Sequence, residues 1–82
     1  MPAIYFVEGP NDGEIRFGET LGALQIPPGY SPSFWSSRFD KGWQKAKYAI
    51  FVHNTVAFTD RERFAARGCA ELLRQHPELD YF

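Results

Sequence analysis

Hydrophobic and polar positions along the chain follow two rhythms, and each rhythm predicts a different kind of element. Near the N-terminus, Ile4 to Val7 is a run of strand-favouring residues, and further on Ile15 and Phe17 alternate with Glu14, Arg16 and Gly18. The intervening GPNDG is dense in turn formers, so AIYFVEGPNDGEIRFGET reads as a β-hairpin with Ile15 and Phe17 turned to the core. Tyr48 to Val52 is almost continuously apolar, as expected of a central strand covered on both faces. His53-Asn54 reads as a tight turn, with Thr55 to Phe58 as a short returning strand.

A helical rhythm takes over after Thr59. TDRE has the form of a capping box, in which Thr59 accepts the amide of Glu62 and Glu62 reaches back to that of Thr59. Phe64, Ala65, Gly68, Cys69, Leu72 and Leu73 share one helical face, Arg63, Arg67 and Arg74 lie opposite with Glu71 at the margin, and His76-Pro77 ends the run. The middle of the chain is less regular. IPPGYSP reads as a loop, because its prolines remove donors and push the preceding residues to extended shapes. Ser33 then stands where it would cap a short helix, FWSSRF, with a further turn in DKGWQKAK. Trp35, Phe39 and Trp43 would form an i, i+4 seam, although Gly42 argues against one continuous helix.

These elements sum to an α+β fold. The expectation is a small three- to four-stranded antiparallel sheet, with the C-terminal amphipathic helix and the short helical segment packed on one face, in a single domain over residues 1–82. Eighty-two residues suffice for one core and not for two domains.

Composition changes this picture in one respect. Aromatic residues make up 17% of the chain, with eight Phe, four Tyr and two Trp, which is more than so small a core easily hides. Five of them lie in SPSFWSSRFDKGWQKAKY, interleaved with Arg38, Lys41, Lys45 and Lys47. Net charge is only −1, yet these cations follow an N-terminal segment carrying Glu8, Asp12, Glu14 and Glu19 against Arg16. Such separation bears on partners rather than on fold.

Several chemistries are disfavoured. One cysteine, Cys69, excludes an internal disulfide and a four-cysteine zinc site and fits a reducing compartment. It falls on the apolar face of its helix, where an inert thiol is the default. His53 and His76 stand apart without metal-ligand spacing, no G-x-S-x-G occurs, and EGPNDG turns into a strand rather than opening a phosphate-binding helix. No cofactor or metal is therefore expected. MPAIYFVEGPNDG lacks a basic region, and no run nears ~20 apolar residues, so a soluble, cytoplasmic protein without a membrane partner is expected.

IYF followed by IRFGET resembles the N-terminal hairpin of GIY-YIG nucleases, and the later order of helical segment, strand and glutamate-bearing helix is similar to that family's core. The resemblance implies nucleic-acid chemistry. Tyr5 would assist an attacking water, Glu71 would hold a divalent metal, and Arg38 is the nearest counterpart of the family's phosphate-binding arginine. Phe17 stands at the site of the second tyrosine and has no hydroxyl.

From the residues themselves, the favoured reading is a non-enzymatic binding protein of adaptor or inhibitor type, by analogy with such domains in phages and mobile elements. Its docking face would comprise Tyr30, Trp35, Arg38, Lys41, Trp43 and Lys45, and its partner would be a protein with an acidic surface. The alternative is a nucleic-acid-binding domain on a GIY-YIG-like scaffold, a degenerate metal-dependent nuclease, with Tyr5, Arg38 and Glu71 as its catalytic set. The aromatic excess also suits a homodimer seam.

Overall fold

Two strands that are apolar on both faces occupy the centre of the sheet. β1 (Ala3–Val7) and β4 (Tyr48–His53) are buried at nearly every position, and they pair in parallel from Ala3↔Tyr48 to Val7↔Val52. β2 (Ile15–Phe17) flanks β1 and β3 (Tyr30–Trp35) flanks β4, both antiparallel, giving the order β2-β1-β4-β3. The one α-helix among the described residues, α1 (Arg61–Gln75), follows, and short 3-10 turns lie in the connections. The computed structural model describes residues 1–36 and 42–80.

The α+β class is as expected, but the sheet is mixed rather than antiparallel. Its antiparallel pairs are β1–β2 and β3–β4, whereas the central β1–β4 pair joins distant segments whose direction no local pattern encodes. Because β4 has a strand on either side, no place is left for Thr55–Phe58 as a returning strand. Those residues instead make a turn, with the Val56 amide on His53 O, and a 3-10 turn at Phe58–Asp60 that runs straight into α1.

Each face of the sheet carries its own core. On one, Ala3, Val7, Tyr48, Ile50 and Val52 pack against Ala65 and Leu72 of α1 and against Leu79. On the other, Ile4, Phe6, Ala49 and Phe51 meet Leu21, Tyr30 and Ala46, with Trp35 and Trp43 packed alongside. Fully burying an Ile, Leu or Phe contributes roughly 1.5–3 kcal/mol, so neither face can be left bare. The predicted apolar face of α1 is the one used: Ala65, Gly68 and Leu72 are buried, and Phe64, Cys69 and Leu73 are partly so. Short helical segments thus lie on both sides of the sheet, not on one.

Two local expectations are corrected. Tyr30–Trp35 is an edge strand, not a loop followed by a helix. Pro32 lacks an amide and is tolerated at an edge, and the ladder is interrupted between Pro32 and Phe34, so Ser33 sits at a bulge rather than at a cap. The predicted Trp35–Phe39–Trp43 seam falls partly outside the described residues. Trp35 ends β3, and Trp43 opens a 3-10 turn that runs to Lys45. The capping box is also unformed. The N-cap residue is Asp60, in helical rather than extended backbone and with no side-chain cap bond, because the preceding 3-10 turn has already wound the chain.

Side chains from distant segments lock the loops. Tyr30 Oη accepts the Asn11 amide at 2.8 Å and donates to Glu8 O, pinning the β1–β2 loop to β3. Gly9 and Gly29 both have positive φ and flank the His53 ring. A Cβ at Gly9 would lie 2.4 Å from His53 Cδ2, and one at Gly29 2.9 Å from Nε2.

At the start of α1, Arg61 reaches back across the sheet end. Its Nη2 donates to Val52 O at 2.9 Å, Ser33 Oγ at 2.8 Å and Ser31 O at 3.2 Å, and its Nη1 to His53 O at 3.3 Å. One guanidinium therefore ties the helix to both strands at the bulge. Hydrogen bonds from a charged donor contribute roughly 1.5–3 kcal/mol each, and they are not additive here because one group makes them all. Arg61→Ala is expected to lower unfolding free energy by about 2–3 kcal/mol in urea denaturation, with Arg61→Lys recovering part of it. An unchanged urea midpoint for Arg61→Ala would show that water replaces the clamp without cost.

Candidate functional site

Of the predicted docking residues, the described ones do not assemble into one exposed face. Tyr30 is buried and its hydroxyl is engaged as above. Trp43 stands edge-on to Phe51 with ring centroids 5.0 Å apart, and Trp35 also packs against the second core. Both indoles remain partly accessible, and Lys45 is exposed. Arg38 and Lys41 lie outside the described residues.

The structure does bring Tyr5 and Glu71 together. Tyr5 projects from β1 toward α1, and Glu71 lies on the same side of the helix. With Asp12 and Arg67 they line an open cleft of about 360 Å³. Gly68 lets α1 come this close, since a Cβ there would lie 2.6 Å from Val7 Cγ2 and 2.9 Å from Ile50 Cγ2. The Tyr5 phenol is raised above its ordinary range, first by burial and then by the carboxylates of Glu71 and Asp12. Arg38 lies outside the described residues, and the arginine lining this cleft is Arg67. Its guanidinium sits 4.9 Å from the Phe64 ring centroid and makes no ion pair among the described residues.

The carboxylates of this cleft are already engaged. Glu71 takes Arg74 Nη2 at 2.5 Å and Nε at 3.1 Å, and Gln75 Nε2 at 2.9 Å. Arg74, then Gln75, hold its carboxyl down at about 2. Asp12 Oδ1 accepts the Glu8 amide at 2.6 Å. Phe17 is exposed beside His76, its ring centroid 5.0 Å away. Bidentate engagement by Arg74 leaves Glu71 a poor ligand for a divalent metal, so this donor set does not fit the metal implied by the nuclease resemblance. No chemical step is assigned to one.

A third region has a different character. β3 and α1 diverge on the helix side of the sheet and leave two adjoining depressions of about 390 and 430 Å³, both bordered by Ser33, Phe34 and Glu62. Ala66, Cys69 and Ala70 floor one of them, and Phe58 and Arg61 edge the other. Phe58 is 89% exposed and Phe34 45%, so two large rings stand open on one groove. Beneath it, Cys69 Sγ lies 3.7 Å from Tyr48 Oη and donates to it. Burial, and then Cys69, pushes the Tyr48 phenol up to about 12. Cys69 is thus a floor residue held by its neighbour.

Sequence reasoning missed this groove for identifiable reasons. Phe58 reads as the end of a returning strand, whereas it opens the 3-10 turn that leads into α1. Phe34 falls in FWSSRF, which reads as a short helix rather than as the edge strand it joins. The available signal was the set Glu62, Ala66 and Ala70, which repeats every four residues on one flank of α1 and adds small side chains there.

No family model, curated protein or solved structure matches the chain. Among the described residues, no helix is long and apolar enough to cross a membrane, and no group of three or more His, Cys, Asp or Glu is placed to hold a metal ion.

The Glu71–Arg74 pair generates a direct expectation. A glutamate depressed to about 2 stays ionised through mild acid, and its interaction with Arg74 is lost only as pH falls through that value. In a carboxyl-carbon NMR titration, Glu71 should titrate near 2, and Arg74→Ala should return it toward the ordinary glutamate range, roughly 4.3. A midpoint in that ordinary range in the unaltered protein would refute the bidentate pair.

Proposed function

We propose that this chain is a non-enzymatic protein-binding domain, of adaptor or inhibitor type, that seats its partner in the groove between β3 and α1. The observation that carries the reading is the exposure of two large rings, Phe58 and Phe34, on one apolar channel, whereas the other exposed ring among the described residues, Phe17, stands apart from it against His76. Exposed aromatics beside a concave apolar surface are the usual anchors of protein recognition. The groove also lies against a rigid support, with Arg61 fastening α1 to the bulge beneath it.

Photo-cross-linking in the native host tests this. A benzoylphenylalanine at position 58 or 34 should trap one defined protein. The same probe at Glu19, which is exposed and lies outside the groove, should not. Identical adducts from all positions, or none from 58 and 34, would defeat the proposal. A probe at Trp43, which packs on the opposite side of the sheet, examines the competing reading, in which Tyr30, Trp35, Arg38, Lys41, Trp43 and Lys45 engage an acidic protein surface.

A second reading, nucleic-acid binding at the Tyr5 cleft, is favoured by the meeting of Tyr5, Arg67 and Glu71. Its weakness is electrostatic, because Asp12 and Glu71 face the same space and would repel a phosphate backbone. On the protein-binding reading, an electrophoretic mobility-shift series should detect no salt-sensitive complex with DNA or RNA, and magnesium or manganese should induce no cleavage. Cleavage that disappears in Glu71→Ala would reverse this ranking.

A further inference from the structure

The charges around the groove specify what can occupy it. Asp60 and Arg63, at the start of α1, pair with each other at 3.1 Å. Arg61 is committed to acceptors on β3 and β4. Glu62 borders both depressions, and its side chain makes no ion pair or hydrogen bond among the described residues. Along the Ala66–Ala70 half of the channel, which Arg61 does not line, it is the one ionised group among the described lining residues. An apolar trough with a single unsatisfied carboxylate at its rim favours a ligand that is apolar on one side and cationic beside it.

We propose that the groove recognises a basic amphipathic helix of a partner protein, whose apolar side chains lie against Phe34, Phe58, Ala66 and Ala70 and whose lysine or arginine pairs with Glu62. This inference rests on the protein-binding reading and adds the chemistry of the partner. A second copy of the chain is the poorer occupant. A two-fold contact uses the same patch on both molecules and would bring a second Glu62 into the same apolar seam, where like charges oppose one another. The small side chains of Ala66 and Ala70 leave room for a helix to approach closely, and the channel between a strand edge and a helix has the elongated form that helix-in-groove recognition uses.

The experiment uses the full chain, labelled with nitrogen-15, and two synthetic helical peptides of identical length. Both carry leucines on one face, and they differ only in having lysine or glutamate on the other. The Leu/Lys peptide should produce saturable shifts at the amides of Phe34, Glu62, Ala66 and Ala70, with affinity roughly tenfold or more above that of the Leu/Glu peptide. Glu62→Lys should invert the preference, and Glu62→Gln should narrow it. Phe58→Ser should weaken both peptides without moving the melting temperature, since the ring is exposed.

Groove binding by both peptides alike would overturn the charge rule and leave the groove as a docking surface. Shifts that grow with protein concentration alone would replace the partner helix with a second copy and overturn the inference. Saturable binding elsewhere, or none by either peptide, would overturn it too, with the photo-cross-linking result deciding the broader reading independently.

Discussion

The parallel contact between β1 and β4 governs the rest of the molecule. Both strands are apolar on both faces, so once they pair, the chain must cover two sides of a sheet with one helix of fifteen residues. α1 covers one side. Among the described residues the other has no helix of comparable length, and it is closed by Leu21, Ala46 and Trp43 from irregular segments, with Trp43 edge-on to the strand ring of Phe51 and Phe51 and Tyr30 packed in turn on Phe6. Trp43 shows how a ring serves in such a cover. A loop presents fewer side chains per unit area than a helix, and a large ring compensates by burying on the order of 150–250 Å² from one position.

The same constraint explains how the loops are tied. A cover made of loops holds its shape only if its backbone is anchored, and Tyr30 supplies one anchor by bonding to both Glu8 and Asn11. Arg61 performs the corresponding task on the helix side, where the bulge in β3 would otherwise leave carbonyls of Ser31 and Val52 poorly served. Neither residue is marked by periodicity. Each acts on groups 8 to 30 residues away in the chain, so its role emerges only when the strands are in register.

That distinction separates what was legible in the sequence from what was not. β1, β4 and the apolar face of α1 could be read directly, because burial imposes a strand or helix rhythm on consecutive residues. β3 could not, since Pro32, two serines and a bulge break its alternation. The direction of the β1–β4 pair was hidden for another reason: parallel and antiparallel partners demand the same apolar residues. The candidate sites follow the same division. The meeting of Tyr5 with Glu71 was anticipated through a family resemblance, but that of Arg67 with Tyr5 depends on how closely Gly68 lets the helix approach. The exposure of Phe58 depends on a turn that replaced an expected strand.

The two surfaces on the helix side differ in how far their polar groups are already satisfied, and this decides between them. In the Tyr5 cleft, Glu71 is saturated by Arg74 and Gln75, and Asp12 is occupied by a loop amide. A ligand there must displace charge-assisted hydrogen bonds before forming its own, which erodes any gain. In the groove, the exposed rings of Phe34 and Phe58 have only water to lose, and removing that water is favourable in proportion to the apolar area covered. Glu62 enters the same account with no internal partner to give up. The surface whose free energy improves most on being covered is therefore the apolar channel, and the fold holds it open through the bulge and the Arg61 clamp that support its walls.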